Sequence, residues 1–125
     1  KITSIDKDPA CESIANTMNK DYEMQGRFKA ITSDMLAYND YDKHNLIINT
    51  VCEHMTPDQY NEWLDKLPSN KRIVLQSNDY FSHEEHVNCK QTLEEFQKDC
   101  NLNVDIAGTM PTEKYNRFMI IGNTK

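Results

Sequence analysis

Apolar positions follow helical spacing through most of the first half of the chain. Asp8-Pro9 reads as an N-cap with proline at the first helical position. Cys11, Ile14, Ala15, Met18 and Tyr22 then recur three and four apart until Gly26. Phe28, Ile31, Met35 and Leu36 predict a second, shorter helix, and Ile47, Ile48, Val51, Cys52 and Met55 a third. The strongest local signal is Thr56-Pro57-Asp58-Gln59. A capping hydroxyl, a first-turn proline, an acidic residue at the positive helix end and a reciprocal Gln open a fourth helix, which carries Tyr60, Trp63, Leu64 and Leu67 on one side and stops at Pro68.

The pattern changes after Pro68. Arg72–Gln76 is short and β-branched and predicts a strand, with Ser77–Phe81 as a loop. Ser82 followed by Glu84-Glu85 predicts the start of a long helix reaching Cys100, with His86, Cys89, Leu93, Phe96 and Cys100 as its inward stripe. Leu102–Ile106 alternates as a strand, Gly108–Lys114 reads as a turn, and Tyr115–Ile121 reads as a last strand. The expectation is one α+β domain over residues 1–125: a helical N-terminal half of about four helices, then a small β-α-β-β mixed sheet. An all-α chain is the alternative, should the apolar runs near residues 73 and 119 be helix turns.

The four cysteines, Cys11, Cys52, Cys89 and Cys100, sharpen that expectation. An even count in a small chain, with no C-x-x-C pair, suggests two disulfides and an oxidising compartment, against four buried thiols as the alternative. On a continuous helix Cys89 and Cys100 lie about 16 Å apart, beyond the reach of a disulfide, so each would bond Cys11 or Cys52. The chain begins at Lys1, consistent with a removed export signal or with trimming, and the expected location is periplasmic or secreted. The interval Cys52-x36-Cys89-x10-Cys100 is similar to one between later cysteines of insect odorant-binding proteins. Ile48 and Thr109 stand where two further cysteines of that family would fall, so no membership follows. The similarity only keeps a carrier of a small apolar ligand among the alternatives.

Charge narrows the partners. A net charge of −6 disfavours a nucleic-acid backbone, and the longest apolar run, Phe118–Ile121, is far shorter than the roughly 20 residues of a membrane span. No G-x-S-x-G elbow is present, and Gly26, Gly108 and Gly122 are isolated, so neither a nucleophile nor a phosphate cradle is announced and no cofactor is expected. Two loops repeat one chemistry, aromatics beside carboxylates: Tyr38, Asp40, Tyr41 and Asp42, then Asp79, Tyr80 and Phe81. Such residues suit docking onto a basic protein surface. The competing reading tucks Tyr41 and Phe81 under their loops and makes the Asp residues turn formers. The resulting expectation is a non-catalytic, acidic, exported protein-binding domain, such as an inhibitor, immunity protein or adaptor. The second is a metal-binding protein using His83, His86 and Cys89, one turn apart on the expected helix, with Cys52-Glu53-His54 supplying a fourth ligand from elsewhere in the chain. Against it, Glu84 and Glu85 would merely complement a helix end, with His83 solvated, His86 at the core edge and Cys89 in a disulfide.

Overall fold

The computed structural model describes all 125 residues. The chain divides into two compact units, residues 1–39 and 40–125.

The first unit is a β-α-β arrangement. Strands β1 (Ile2–Asp6) and β2 (Phe28–Thr32) pair in parallel, from Ile2 opposite Phe28 to Asp6 opposite Thr32. Helices α1 (Pro9–Met18) and α2 (Lys20–Met24) connect them. Asp8 caps α1 as expected, its carboxylate accepting from Ala10 N at 2.9 Å. Two α1 side chains fasten the helix to β2: Asn16 Oδ1 accepts from Ala30 N at 3.0 Å, and Glu12 Oε2 accepts from Thr32 N at 2.9 Å. The expected helix over Phe28–Leu36 is therefore replaced by a strand. Its five residues are too few for a self-sufficient helix, and their backbone groups pair with β1 instead.

The second unit is a four-stranded mixed sheet in the order β3 (Leu46–Asn49), β4 (Arg72–Asn78), β6 (Asn116–Thr124), β5 (Leu102–Pro111). β3 and β4 are parallel, and β6 runs antiparallel to both of its neighbours. The expected third helix is absent. Leu46-Ile47-Ile48-Asn49 alternates exposed and buried, a period of two, and Asn49 Oδ1 accepts from Val51 N at 3.0 Å to turn the chain off the sheet. Cys52–His54 then forms one 3₁₀ turn. Helix α3 (Pro57–Lys66) has the predicted capping box, with Gln59 N donating to Thr56 Oγ1 at 3.2 Å and Thr56 N donating to Gln59 Oε1 at 3.0 Å. Its inward residues Tyr60 and Trp63 are buried together with Ile73, Leu75, Phe118 and Ile120 of the sheet. Trp63 Nε1 donates to Tyr41 Oη at 2.9 Å, so Tyr41 belongs to the core.

The long helix expected from Ser82 to Cys100 shrinks to α4 (Leu93–Asp99), capped by Thr92. The residues before it form a loop because their backbone donors are claimed elsewhere. Val87 N and Asn88 N both donate to Glu53 O, at 2.9 and 3.0 Å, and Lys90 N donates to Asn78 O at 3.0 Å. β5 is longer than expected, running through Gly108 to Pro111, with a bulge between Val104 and Ile106. Gly122 of β6 lies against the Asn103 carbonyl, where a Cβ has no room. No helix is long and apolar enough to cross a membrane.

The α+β expectation with a helical half and a disulfide staple is thus corrected to a mixed α/β fold with two sheets and four helices, and the all-α alternative fails with it. All four cysteines are free. Three of the thiols find local acceptors: Cys52 Sγ donates to Asn49 O, Cys89 Sγ to Asn78 Oδ1 and Cys100 Sγ to Gln97 O. Cys52 and Cys100 fill the core as small apolar groups. Unreduced chain unfolded in denaturant is expected to titrate four thiols with a disulfide-exchange reagent. Thr56→Ala is expected to lower unfolding stability by about 1 kcal/mol in urea, through loss of the cap.

Candidate functional site

Parallel pairing sends β3 and β4 off the same edge of the sheet, and the segments that follow them meet there. From β3 come Glu53 and His54 on the 3₁₀ turn; from β4 come Asn78, Tyr80, His83, His86 and Cys89. The carboxyl edge of parallel strands is where open α/β sheets bind their ligands, because loops diverge there and leave a crevice.

Glu53 is the anchor. It is 6% exposed, its carbonyl holds the loop through Val87 N and Asn88 N, and its Oε1 accepts from Asn78 Nδ2 at 2.9 Å. Its other oxygen, Oε2, is buried with no hydrogen-bond partner. His54 lies between two carboxylates: Nε2 is 4.0 Å from Glu53 Oε1 and Nδ1 is 4.0 Å from Glu85 Oε2. His86 is half-buried, and its Nδ1 sits 2.9 Å from Tyr80 O. A carbonyl only accepts, so Nδ1 carries the hydrogen and the Nε2 lone pair is left available. The rings of His54 and His86 meet edge to face at 4.8 Å, and exposed His83 stacks on His86 at 4.5 Å. His83 Nδ1 accepts from Glu85 N at 3.2 Å.

Asn78 organises this edge. Buried at the end of β4, it donates to Glu53 while its Oδ1 accepts from Tyr80 N at 3.0 Å and from Cys89 Sγ at 3.3 Å. Burial, then the charges of Glu53 and Asp79, push the Cys89 thiol up to about 11. Burial also raises Cys52, with Glu53 adding to it. The expected set His83, His86 and Cys89 is corrected: the groups that converge are Glu53, His54 and His86, whose ligand atoms lie within 4.8 Å of one another.

The aromatic and acidic positions separate. Asp79 binds the start of β6, accepting from Asn116 N at 2.7 Å and from Asn116 Nδ2 at 2.8 Å, so its carboxylate builds the loop. Tyr80 stacks on Tyr115 at 5.2 Å and borders His86, whereas Phe81 is exposed. Asp40 pairs with Lys43 at 2.9 Å, and exposed Asp42 offers its carbonyl to Lys71 Nζ at 2.6 Å. Tyr38 is half-buried and belongs to the first unit. Sequence reasoning offered Cys52-Glu53-His54 only as the source of a fourth ligand and missed Asn78, so Glu53, His54 and Asn78 did not emerge as a group. Their available signal was the turn chemistry at the ends of two β-branched runs, masked for the first run by its reading as helix.

No protein-family model and no curated protein matches the sequence. Solved structures share the fold. The N-methyltransferase NodS from Bradyrhizobium japonicum WM9, in complex with S-adenosyl-L-homocysteine, superposes with a TM-score of 0.73 at 12% identity over 99% of this chain and 66% of that one. Magnesium protoporphyrin IX methyltransferase from Synechocystis PCC 6803, with bound S-adenosylhomocysteine, gives 0.72 at 12% identity over 98% and 64%. The 1,6-didemethyltoxoflavin-N1-methyltransferase from Burkholderia thailandensis gives 0.66 at 11% over 98% and 60%. The chain thus spans just under two thirds of the length of each of these three proteins.

This likeness overturns the expectation of a non-catalytic inhibitor, immunity protein or adaptor. The fold is one that these enzymes use, and the disulfide framework behind that expectation is absent. The apolar-ligand carrier loses its basis as well, since residues 28–32 and 46–49 of the supposed helical half are strands. Alkylation of native protein at pH 8 is expected to be slow at Cys89 and to quicken toward pH 11. With the folded thiol raised above its unfolded value of 9.0, its contribution to stability is complete below pH 9 and is lost as pH rises through about 11. Mass-resolved labelling across that range checks both.

Proposed function

We propose that this chain serves a methyltransferase that draws on S-adenosylmethionine, with the Glu53–His54–His86 edge receiving the methyl acceptor. One observation carries the reading: this cluster occupies the carboxyl edge of a sheet whose fold aligns over 99% of the chain with a methyltransferase in complex with S-adenosyl-L-homocysteine. When bound, the cofactor supplies an electrophilic methyl group on a sulfonium centre.

Asp6 stands at the carboxyl end of β1 with its Oδ1 accepting from Asp8 N at 2.8 Å, and no residue is assigned to the cofactor's ribose. A glycine-rich turn of the kind that lets a nucleotide approach the backbone is not found among these 125 residues, so those contacts are assigned to none of them.

The chemistry asked of the second unit is proton removal. An oxygen or nitrogen acceptor that gains a methyl group must lose a proton. His86 is built to take it: the Tyr80 carbonyl fixes the ring by its Nδ1 hydrogen, and Nε2 keeps its lone pair. His83 stacks on the imidazole at 4.5 Å and Tyr80 borders it at 5.8 Å.

The full chain is expected to bind S-adenosylhomocysteine saturably in calorimetry. Transfer of a labelled methyl group to a panel of phenols, carboxylic acids and amines is expected to fall about 10²–10⁴-fold in His86→Ala, with cofactor affinity unchanged. Absence of S-adenosylhomocysteine binding by the full chain would overturn the reading.

A further inference from the structure

We propose that Glu53, His54 and His86 form a binding site for a divalent transition-metal ion of the zinc type, with a coordination position left open. The first observation is convergence. One ligand atom from each residue lies within 4.8 Å of the other two, although the residues come from two separate loops. Bonds of about 2.0–2.2 Å at tetrahedral angles place donors about 3.4 Å apart, so a small contraction of side chains completes the set.

The second observation is independent of the first. Glu53 Oε2 is buried without any partner, while Oε1 of the same carboxylate is held by Asn78 and faces His54. A buried carboxylate oxygen with nothing to bind carries an uncompensated desolvation cost, and a cation held by this carboxylate removes it.

The surrounding contacts are those a metal site needs. A ligating imidazole donates its other ring hydrogen to a carbonyl or carboxylate, which fixes the ring and aims the lone pair at the ion. His86 does this through Tyr80 O at 2.9 Å, and Glu85 Oε2 stands 4.0 Å from the outer nitrogen of His54. The donor chemistry selects the ion. Two imidazoles and one carboxylate suit zinc and its first-row neighbours, whereas calcium and magnesium prefer all-oxygen shells. Cys89 is not among the converging groups: its sulfur donates to Asn78 Oδ1 at 3.3 Å and lies 3.6 Å from His86 Nδ1, the nitrogen that faces Tyr80 O.

An ion at this site takes the lone pair that otherwise meets a proton at His86. An acceptor bound at the open position would then lose its proton more readily. The site itself does not depend on methyl transfer, and its test reads the metal alone.

Zinc titrated into the metal-free full chain, in competition with a chromophoric chelator, is expected to bind at one equivalent. His54→Ala, His86→Ala and Glu53→Gln should each weaken it by at least about 10-fold, and Asn78→Ala by about 10–100-fold through the carboxylate it orients. His83→Ala should stay within about 3-fold of the unmodified chain. Circular dichroism of each metal-free variant identifies any that fail to fold, and a measurement free of substitutions covers those. Zinc should slow diethylpyrocarbonate modification of His54 and His86, resolved by mass spectrometry, while His83 reacts as before. Failure to compete for zinc, loss of binding in His83→Ala with retention in Glu53→Gln, or absence of protection at His54 and His86 overturns the proposal. Zinc binding without S-adenosylhomocysteine binding would leave the metal site standing and sink only the functional reading.

Discussion

The parallel ladder between β3 and β4 is the constraint on which the candidate site depends. Antiparallel neighbours would send their following segments to opposite ends of the sheet. Parallel neighbours deliver both to one edge, and here the two segments are locked at a single carbonyl. Glu53 O receives Val87 N and Asn88 N, which spends two backbone donors of the second loop on the first. Those same donors are the ones a continuous helix would have needed. The site and the missing helix therefore have one cause.

Asn78 completes the lock from the sheet side. A buried amide with both ends engaged fixes the Glu53 carboxylate, the Tyr80 backbone and the Cys89 thiol in one arrangement. Low dielectric strengthens each of these bonds, and it makes any member left unpaired costly. Glu53 Oε2 is that member. Structures retain such groups where function holds them, and here the same carboxylate lies beside two imidazoles.

Much of the fold's punctuation was legible in the sequence. The Asp8-Pro9 and Thr56–Gln59 caps, the strand at Arg72–Gln76 and the last two strands all stand where local chemistry put them, with adjusted ends. The failures share a physical origin. Phe28–Thr32 and Leu46–Asn49 are short apolar runs, for which spacing alone separates helix from strand poorly, and the parallel partners that decide the matter lie 26 residues away in each case. Ser82–Glu85 looked like a helix start because a capping pattern says nothing about tertiary acceptors competing for the next turn. An even cysteine count resembles a covalent framework when the same sulfurs are serving as compact core atoms. Tyr41 looked like a surface anchor because the hydrogen bond that internalises it comes from Trp63, a residue 22 positions away. His86 and the Cys52-Glu53-His54 stretch both entered the reading, but Glu53 and His54 could be set beside His86 only once β3 was known to run beside β4.

The bulge in β5 reaches beyond its own hairpin. Between Val104 and Ile106 the ladder gains an extra residue, Asp105, whose carboxylate pairs with Arg72. β5 is the outer strand on that side, with one row of amides and carbonyls facing no neighbour. A second chain trying to zip onto that border would lose register at the kink and would meet a charged side chain there. The irregularity thus makes this border a poor template for strand addition.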